Sequence, residues 1–339
     1  MLKGQISKVV AGQHLSEAEA GEAMDIIMTG QATPAQIAAF ITALRLKGET
    51  VDEITGFARS MRRHATSITT SHQVFVDTCG TGGDGRQTFN ISTTAAFVVA
   101  GAGVAVAKHG NRSVSSRCGS ADMLEALGIK VDLPAATVAR CLDEVGMAFL
   151  FAPVFHGAMK YAAGPRREIG IRTAFNLLGP LTNPAGAPYQ LVGVYDPALT
   201  ETVAAVLGRL GSRQAYVVHG SDGLDEITTT GPSKITCLDN GSIRTYTFEP
   251  ADAGLPRATL ADLVGGTAAD NAAIARAVLN GARGPARDVV LINAAFALLA
   301  AGAAANLEQA LTLATGSIDS GAAAAKLRAM IAWVERWAA

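Results

Sequence analysis

The chain has 339 residues, of which 49% are apolar, 17% charged and 5% aromatic, with a formal net charge of -1. That balance is globular rather than disordered, long enough for a large domain and a smaller one, and without the basic surplus of a nucleic-acid-binding surface. Cys79, Cys118, Cys141 and Cys237 are widely spaced with no CxxC pair, which excludes the usual zinc spacings and fits reduced thiols in a cytoplasmic protein. MLKGQISKVV lacks the apolar stretch of a signal peptide, and no window approaches ~18 consecutive apolar residues, so neither export nor a membrane span is expected.

Residues 1 to about 66 read as helices only. Ser16-Glu17-Ala18-Glu19, Thr33-Pro34-Ala35-Gln36 and Thr50-Val51-Asp52-Glu53 are three capping boxes, and Gly30 and Gly48 mark where the first two helices end. Ile37, Phe40, Ile41 and Leu44 recur at helical spacing and give one apolar face. Such a small core leans on the rest of the chain or on a second subunit.

From residue 74 the pattern changes. Val74-Phe75-Val76-Asp77 reads as a buried strand, 92–102 as a helix, Val104 to Ala107 as a second strand and 119–127 as a helix. The apolar runs 190–195 and 215–219 alternate with a helical stretch over 198–210, the alternation of a mainly parallel sheet flanked by helices. Residues 232–249 predict a β-hairpin turning at Asp239-Asn240-Gly241, and the chain from 268 onward is Ala-rich and helical. The expected fold class is therefore α/β: a small all-helical domain, residues 1–70, and a larger sheet domain, residues 71–339.

Four groups of residues carry chemistry. Asp77-Thr78-Cys79-Gly80-Thr81-Gly82-Gly83-Asp84-Gly85 lies between a strand and a helix. Its glycines let successive N–H groups point inward, and the helix near Ser92 adds its positive end, making a phosphate or pyrophosphate cradle. Thr88, Asn90, Ser92 and Thr93 are polar neighbours of that cradle. The loop Lys108-His109-Gly110-Asn111-Arg112-Ser113-Val114-Ser115-Ser116 places two cations, an imidazole, an amide and three hydroxyls after a strand, ahead of Ser120. Loops at the carboxyl ends of parallel strands are where open α/β sheets bind ligands. The adjacent carboxylates Asp225 and Glu226 suit Mg²⁺, which prefers oxygen ligands shared with substrate phosphates, although such a pair also occurs in exposed turns. In Gly164-Pro165-Arg166-Arg167-Glu168, arginine suits a carboxylate, but spacing alone does not separate that reading from a surface pair offset by Glu168.

The strings DTCGTGGDGRQTFNIST (77–93), KHGNRSVSSRCGSADMLEALG (108–128), RREIGIRTAFNLLGPLTNP (166–184) and VVHGSDGLDEIT (217–228), in that order, resemble the anthranilate phosphoribosyltransferase family over nearly the whole chain. The resemblance implies transfer of a 5-phosphoribosyl group from phosphoribosyl pyrophosphate to the amine of anthranilate, in tryptophan biosynthesis. It implies a cleft between the domains, residues 166–183 joining the helical domain, and a homodimer formed through that domain. Phosphoribosyl pyrophosphate contacts carry over to Gly80, Gly83, Asp84, Thr88, Asn90, Ile91, Ser92, Thr93, the 108–116 loop and Ser120. Mg²⁺, two ions per subunit, carries over to Ser92, Asp225 and Glu226. Gly80, Asn111 and Arg166 match anthranilate contacts, and no residue is implied as acid or base. Gly157 stands where the family usually has proline, Pro165 where an aliphatic residue is usual, and Arg86-Gln87 varies within the glycine loop. Pyrimidine nucleoside phosphorylases share the two-domain plan, but GNRSVSS and the Asp225-Glu226 pair fit them poorly. A non-catalytic relative that binds nucleic acid would carry a basic stripe, which this chain lacks.

Overall fold

The computed structural model describes residues 2–113 and 117–337. Val114, Ser115 and Ser116 of the second binding loop lie outside the described residues.

Four helices open the chain: α1 (Lys3–Val10), α2 (Glu17–Met28), α3 (Pro34–Lys47) and α4 (Val51–His64). Ser16 with Glu19, Thr33 with Gln36 and Thr50 with Glu53 form the reciprocal caps that the sequence predicts. Glu53 does more than cap. Its carboxylate accepts the Leu15 N–H at 2.9 Å and pairs with Lys47 at 2.9 Å, both side chains almost fully buried. Helices α2 and α4 pack with their backbones nearly touching, because a Cβ at Gly56 would collide with the Glu17 carbonyl.

The sheet has seven strands in the order β3-β2-β1-β4-β5-β6-β7. These are β1 (Phe75–Gly80), β2 (Ala105–Gly110), β3 (Met147–Phe151), β4 (Tyr189–Gly193), β5 (Gln214–Gly220), β6 (Ser233–Asp239) and β7 (Ser242–Phe248). The first five in spatial order run parallel, while β5, β6 and β7 pair antiparallel. The β6–β7 turn has positive φ at both Asn240 and Gly241, as a two-residue primed turn requires. Between the strands run α5 (Ile91–Gly101), α6 (Ser120–Ala126), α7 (Ala135–Val145), α8 (Ala152–Phe155), α9 (Lys160–Ile169), α10 (Phe175–Leu181) and α11 (Thr200–Arg209), followed by α12 (Ala268–Leu279), α13 (Pro285–Ala300), α14 (Leu307–Asp319) and α15 (Ala322–Trp337).

Apolar residues form two cores. One joins α5–α7 and α12–α15 to the sheet; the other runs from the N-terminal bundle through Ala162, Phe175 and Leu178 onto α11, Val192 and Val217. Helix α9 packs on α3 and α2, and α10 packs on α4. Arg62 of α4 stitches this seam, donating to the carbonyls of Leu181 at 2.8 Å and Leu210 at 3.1 Å. The chain steps from β1 out to β2 and β3 and then crosses back to β4 on the other side of β1, so the ligand crevice of an open α/β sheet lies at the carboxyl ends of β1 and β4.

Two strands run further than the sequence suggests. Thr78, Cys79 and Gly80 pair with β4, and Lys108, His109 and Gly110 pair with β3, so these residues are strand rather than loop. Polar residues survive there because they are satisfied internally: the Lys108 ammonium donates to the Thr78 carbonyl and, at 3.3 Å, to Ser92 Oγ. Strand β3 went unread because its apolar run follows α7 with only Gly146 between them. Gly157 opens a single 3₁₀ turn, and Pro165 is buried inside α9.

Candidate active site

The cradle forms where β1 ends. Gly82, Gly83 and Gly85 have positive φ, which bends the loop so that backbone N–H groups face the crevice. At its far end the loop is pinned by a bridge between Thr88 and Val264 and by the Phe89 N–H donating to the Leu263 carbonyl at 3.0 Å. Asn90 then precedes α5, its Oδ1 accepting from Asn271 at 2.9 Å, while Ile91 and Thr93 are buried beneath it.

Asp225 and Glu226 lie directly over this cradle. Gly82 N–H donates to Asp225 Oδ2 at 2.7 Å, and Ser92 N–H in the first turn of α5 donates to Glu226 Oε1 at 3.0 Å. The close approach depends on two glycines: a Cβ at Gly80 would collide with the Asp225 carboxylate and one at Gly193 with its carbonyl. Burial, with Asp84 nearby, pushes the Asp225 carboxyl up to about 6, and burial, with Asp225 beside it, pushes Glu226 up to about 8. Two carboxyls so close resist ionising together, which a cation between them would relieve. With Ser92 Oγ they offer only oxygen donors, the set that suits Mg²⁺.

Below the pair, burial pulls the Lys108 ammonium under its ordinary value, opposed by Asp77, Cys79 and both carboxylates. Asp77 is buried and raised by that burial; it accepts from the His109 N–H at 3.1 Å and from Asn183 Nδ2 at 2.8 Å, tying β1, β2 and the 183 loop together. His109 is held near 3 by burial and by His156, whose ring centroid is 5.1 Å away, so it stays neutral and is a weak base. His109 Nδ1 meets the Gly179 carbonyl at 3.0 Å, while among the described residues its buried Nε2 has no partner, nor has the buried Nε2 of His156.

Beyond β2 the loop is exposed. Ser120 Oγ donates to the Asn111 carbonyl at 3.1 Å, and Gly110 is glycine because a Cβ would strike Ser120. Arg112 pairs with Glu125 at 2.6 Å and Asp122 at 3.1 Å; Ser113 N–H also donates to Asp122. Asp84 accepts from the Arg86 N–H. Arg166 stands apart from this network. Its half-buried guanidinium lies 5.0 Å from the Phe175 ring centroid and, among the described residues, has no carboxylate partner.

Thus Gly80, Ser92, Lys108, Asp225 and Glu226 come together, joined through the backbone to Gly82, while no hydrogen bond or ion pair among the described residues links Arg166 to them. Gly193, Asn183, His156 and Arg172 belong to the neighbourhood without having been singled out, and Asp77, read as part of the cradle, lies beneath it. Arg172 and Asn183 did lie inside the 166–184 string; Gly193 gave no signal, since its need arises from the backbone carbonyl of Asp225, 32 positions away.

A cradle that offers N–H donors and oxygen ligands side by side suits a phosphorylated sugar. Residues 4–65 match the helical bundle domain of the glycosyl transferase family and residues 72–324 its a/b domain. The chain is 89% identical to the anthranilate phosphoribosyltransferase of Moorella thermoacetica over the full length of both, and 62% identical to that of Pelotomaculum thermopropionicum over 98% of this chain and 96% of the other. The crystal structure of anthranilate phosphoribosyltransferase from Thermus thermophilus superposes with a TM-score of 0.93 at 43% identity, covering 98% and 99% of the two chains. The Saccharomyces cerevisiae enzyme in complex with PRPP and Mg gives 0.91 at 29% identity, covering 99% and 98%. The chain belongs to the anthranilate phosphoribosyltransferase family.

Proposed function

We infer that this chain transfers the 5-phosphoribosyl group of phosphoribosyl pyrophosphate to the anthranilate amine, giving N-(5-phosphoribosyl)anthranilate and pyrophosphate, a step of tryptophan biosynthesis. The observation that carries this reading is the carboxylate pair seated on the N–H groups of the glycine cradle. Ser92, Asp225 and Glu226 would hold Mg²⁺, two ions per subunit, which when bound neutralises charge on diphosphate oxygens. Gly80, Gly83, Asp84, Thr88, the turn from Asn90 to Thr93, the 108–116 loop and Ser120 bind phosphoribosyl pyrophosphate, the backbone N–H groups stabilising the leaving group as the bond from the anomeric carbon to pyrophosphate breaks.

Arg166 and Asn111, with Gly80, receive anthranilate. The guanidinium takes the carboxylate and aims the amine at the anomeric carbon, where the new C–N bond forms as the amine loses a proton. An aromatic amine is already neutral at working pH, so positioning does most of the work and no residue is assigned as base. His109 serves as a neutral contact rather than an acid.

Residues 1–70 with 166–183 act as the helical domain and 71–339 as the binding domain, the crevice lying between them. Val10, Leu46 and Tyr161 are exposed on α1, α3 and α9, which supports a homodimer through this bundle. Among the described residues no helix is long and apolar enough to cross a membrane, and we place the enzyme in the cytoplasm.

Mixing the protein with anthranilate, phosphoribosyl pyrophosphate and Mg²⁺ should extinguish anthranilate fluorescence only when all three are present. Retained fluorescence with phosphorolysis of thymidine or uridine would replace this reading with a nucleoside phosphorylase.

A further inference from the structure

We propose that Arg172 is a positioning residue that couples the two halves of the site, so that occupation of the phosphate cradle tightens the grip on the aromatic acceptor. The inference rests on the functional reading above and adds to it a residue and a property that reading does not contain.

Arg172 lies in the turn between α9 and α10, six positions after Arg166 and just before Thr173, whose N–H donates to Asn176 at 2.9 Å. The acceptor side of the crevice and this turn are therefore one short segment. Its guanidinium leaves that segment and crosses to the glycine loop, where it donates to the Gly83 carbonyl. The guanidinium lies alongside Gly83: a Cβ there would be in ordinary contact with it, 3.6 Å from the Arg172 Nε. The carbonyl it holds follows directly on Gly82, whose N–H carries Asp225.

The guanidinium is also seated from below. It lies 4.5 Å from the ring centroid of Tyr195, whose own N–H donates to Thr81 Oγ1 at 3.1 Å and whose ring packs against the core shared with the helical bundle. Thr81 N–H in turn donates to the Gly193 carbonyl at 2.9 Å, anchoring the start of the loop to β4. Arg172 thus spans a rigid platform and the loop that would wrap the diphosphate.

An arginine serving only stability would be expected to meet a carboxylate. Among the described residues Arg172 makes no ion pair, and its side chain is exposed. Ordering so long an exposed side chain on one carbonyl and one ring gains little in the free protein. A planar group with five donors uses few of them on Gly83. When the loop closes on an anion, the tie fixes the α9–α10 turn too, and with it the approach to Arg166. By linkage the effect is reciprocal: the acceptor must tighten the cradle by the same factor.

The test uses a dead-end pair that cannot react. Anthranilate is titrated by its fluorescence into the full-length protein, with and without saturating Mg²⁺ and pyrophosphate, and the ratio of the two dissociation constants gives the coupling. We expect a ratio of about five or more for the unchanged protein, the lower end of ordinary coupling. Arg172→Gln should bring the ratio toward one while changing binding of either ligand alone by less than about twofold, an effect a purely structural role would not produce. Tyr195→Phe, which keeps the ring, should keep the coupling. A ratio near one in the unchanged protein, or an undiminished ratio in Arg172→Gln, overturns the proposal. Failure of the unchanged protein to bind either ligand would instead overturn the reading of the site itself.

Discussion

Single side chains decide which half of the chemistry a substitution removes. Arg166 sits half-buried over Phe175 with no carboxylate partner among the described residues, and burial holds its guanidinium below the ordinary value. A buried cation without a counter-charge is costly, and the anthranilate carboxylate would supply one. Arg166→Ala should therefore raise KM for anthranilate by about 10- to 100-fold, the value of a charge-assisted hydrogen bond, and leave KM for phosphoribosyl pyrophosphate nearly unchanged. Equal losses for both substrates in steady-state kinetics would refute the assignment. The histidine pair makes a second residue-scale prediction. Burial holds His156 near 4 and His109 near 3 in the folded chain, against about 6.5 when unfolded. Between those values the unfolded chain binds more protons, so the pair contributes stability that is fully present above pH ~6.5 and lost as pH falls toward 4. Glu226 works the other way, because its folded value is raised and it favours the folded state as pH drops below about 8. The pair's share is isolated by His156→Phe, whose urea midpoint should fall less steeply from pH 6.5 to 4 than that of the parent. Parallel slopes would show that the ring is not held neutral.

At the scale of elements, legibility followed locality. The three capping boxes and the Asn240-Gly241 turn are written in adjacent residues, and each appears where the sequence places it. The glycine cradle and the Asp225-Glu226 pair were also legible, because each is a short run with unusual chemistry. What the sequence hid was tertiary. Lys108 looked like a loop cation, yet it is strand, its ammonium turned inward to the Thr78 carbonyl. Arg172 looked like one of several arginines until the fold brought Gly83 to it. Glu53 looked like a cap, accepting the Thr50 N–H at 2.8 Å, yet two further groups depend on it: the Leu15 N–H and the Lys47 ammonium. Replacing it by alanine leaves a buried ammonium and an N–H uncompensated, so Glu53→Ala should cost about 3–5 kcal/mol, against about 1 kcal/mol for losing only the cap in Thr50→Ala. Urea unfolding of both variants checks the contrast, and similar small losses would mean that the Lys47–Glu53 pair is dispensable.

Across the whole molecule, the helical bundle faces two demands. Its inner side is fused to the sheet domain through the core that includes Phe175 and α11 and through the Arg62 contacts to the Leu181 and Leu210 carbonyls. Its outer side leaves Leu46 84% and Val10 69% exposed, with Tyr161 partly so, on helices that pack against one another as α1 on α3 and α3 on α9. Large apolar side chains exposed together on adjoining elements mark an association surface more often than chance exposure. A second copy meeting this face would pair like with like about a twofold axis. The expected solution mass is thus twice the 34.7 kDa of one chain. Introducing charge with Val10→Glu and Leu46→Glu together should shift sedimentation equilibrium toward the single chain, since unpaired carboxylates buried in an apolar contact are strongly unfavourable. Ile243→Glu on β7, where the side chain is also exposed but on a strand that packs on β6 and α11, is the control and should leave the mass unchanged. Dissociation by the Ile243 substitution, with the Val10 and Leu46 pair without effect, would move the interface from the bundle to the sheet edge.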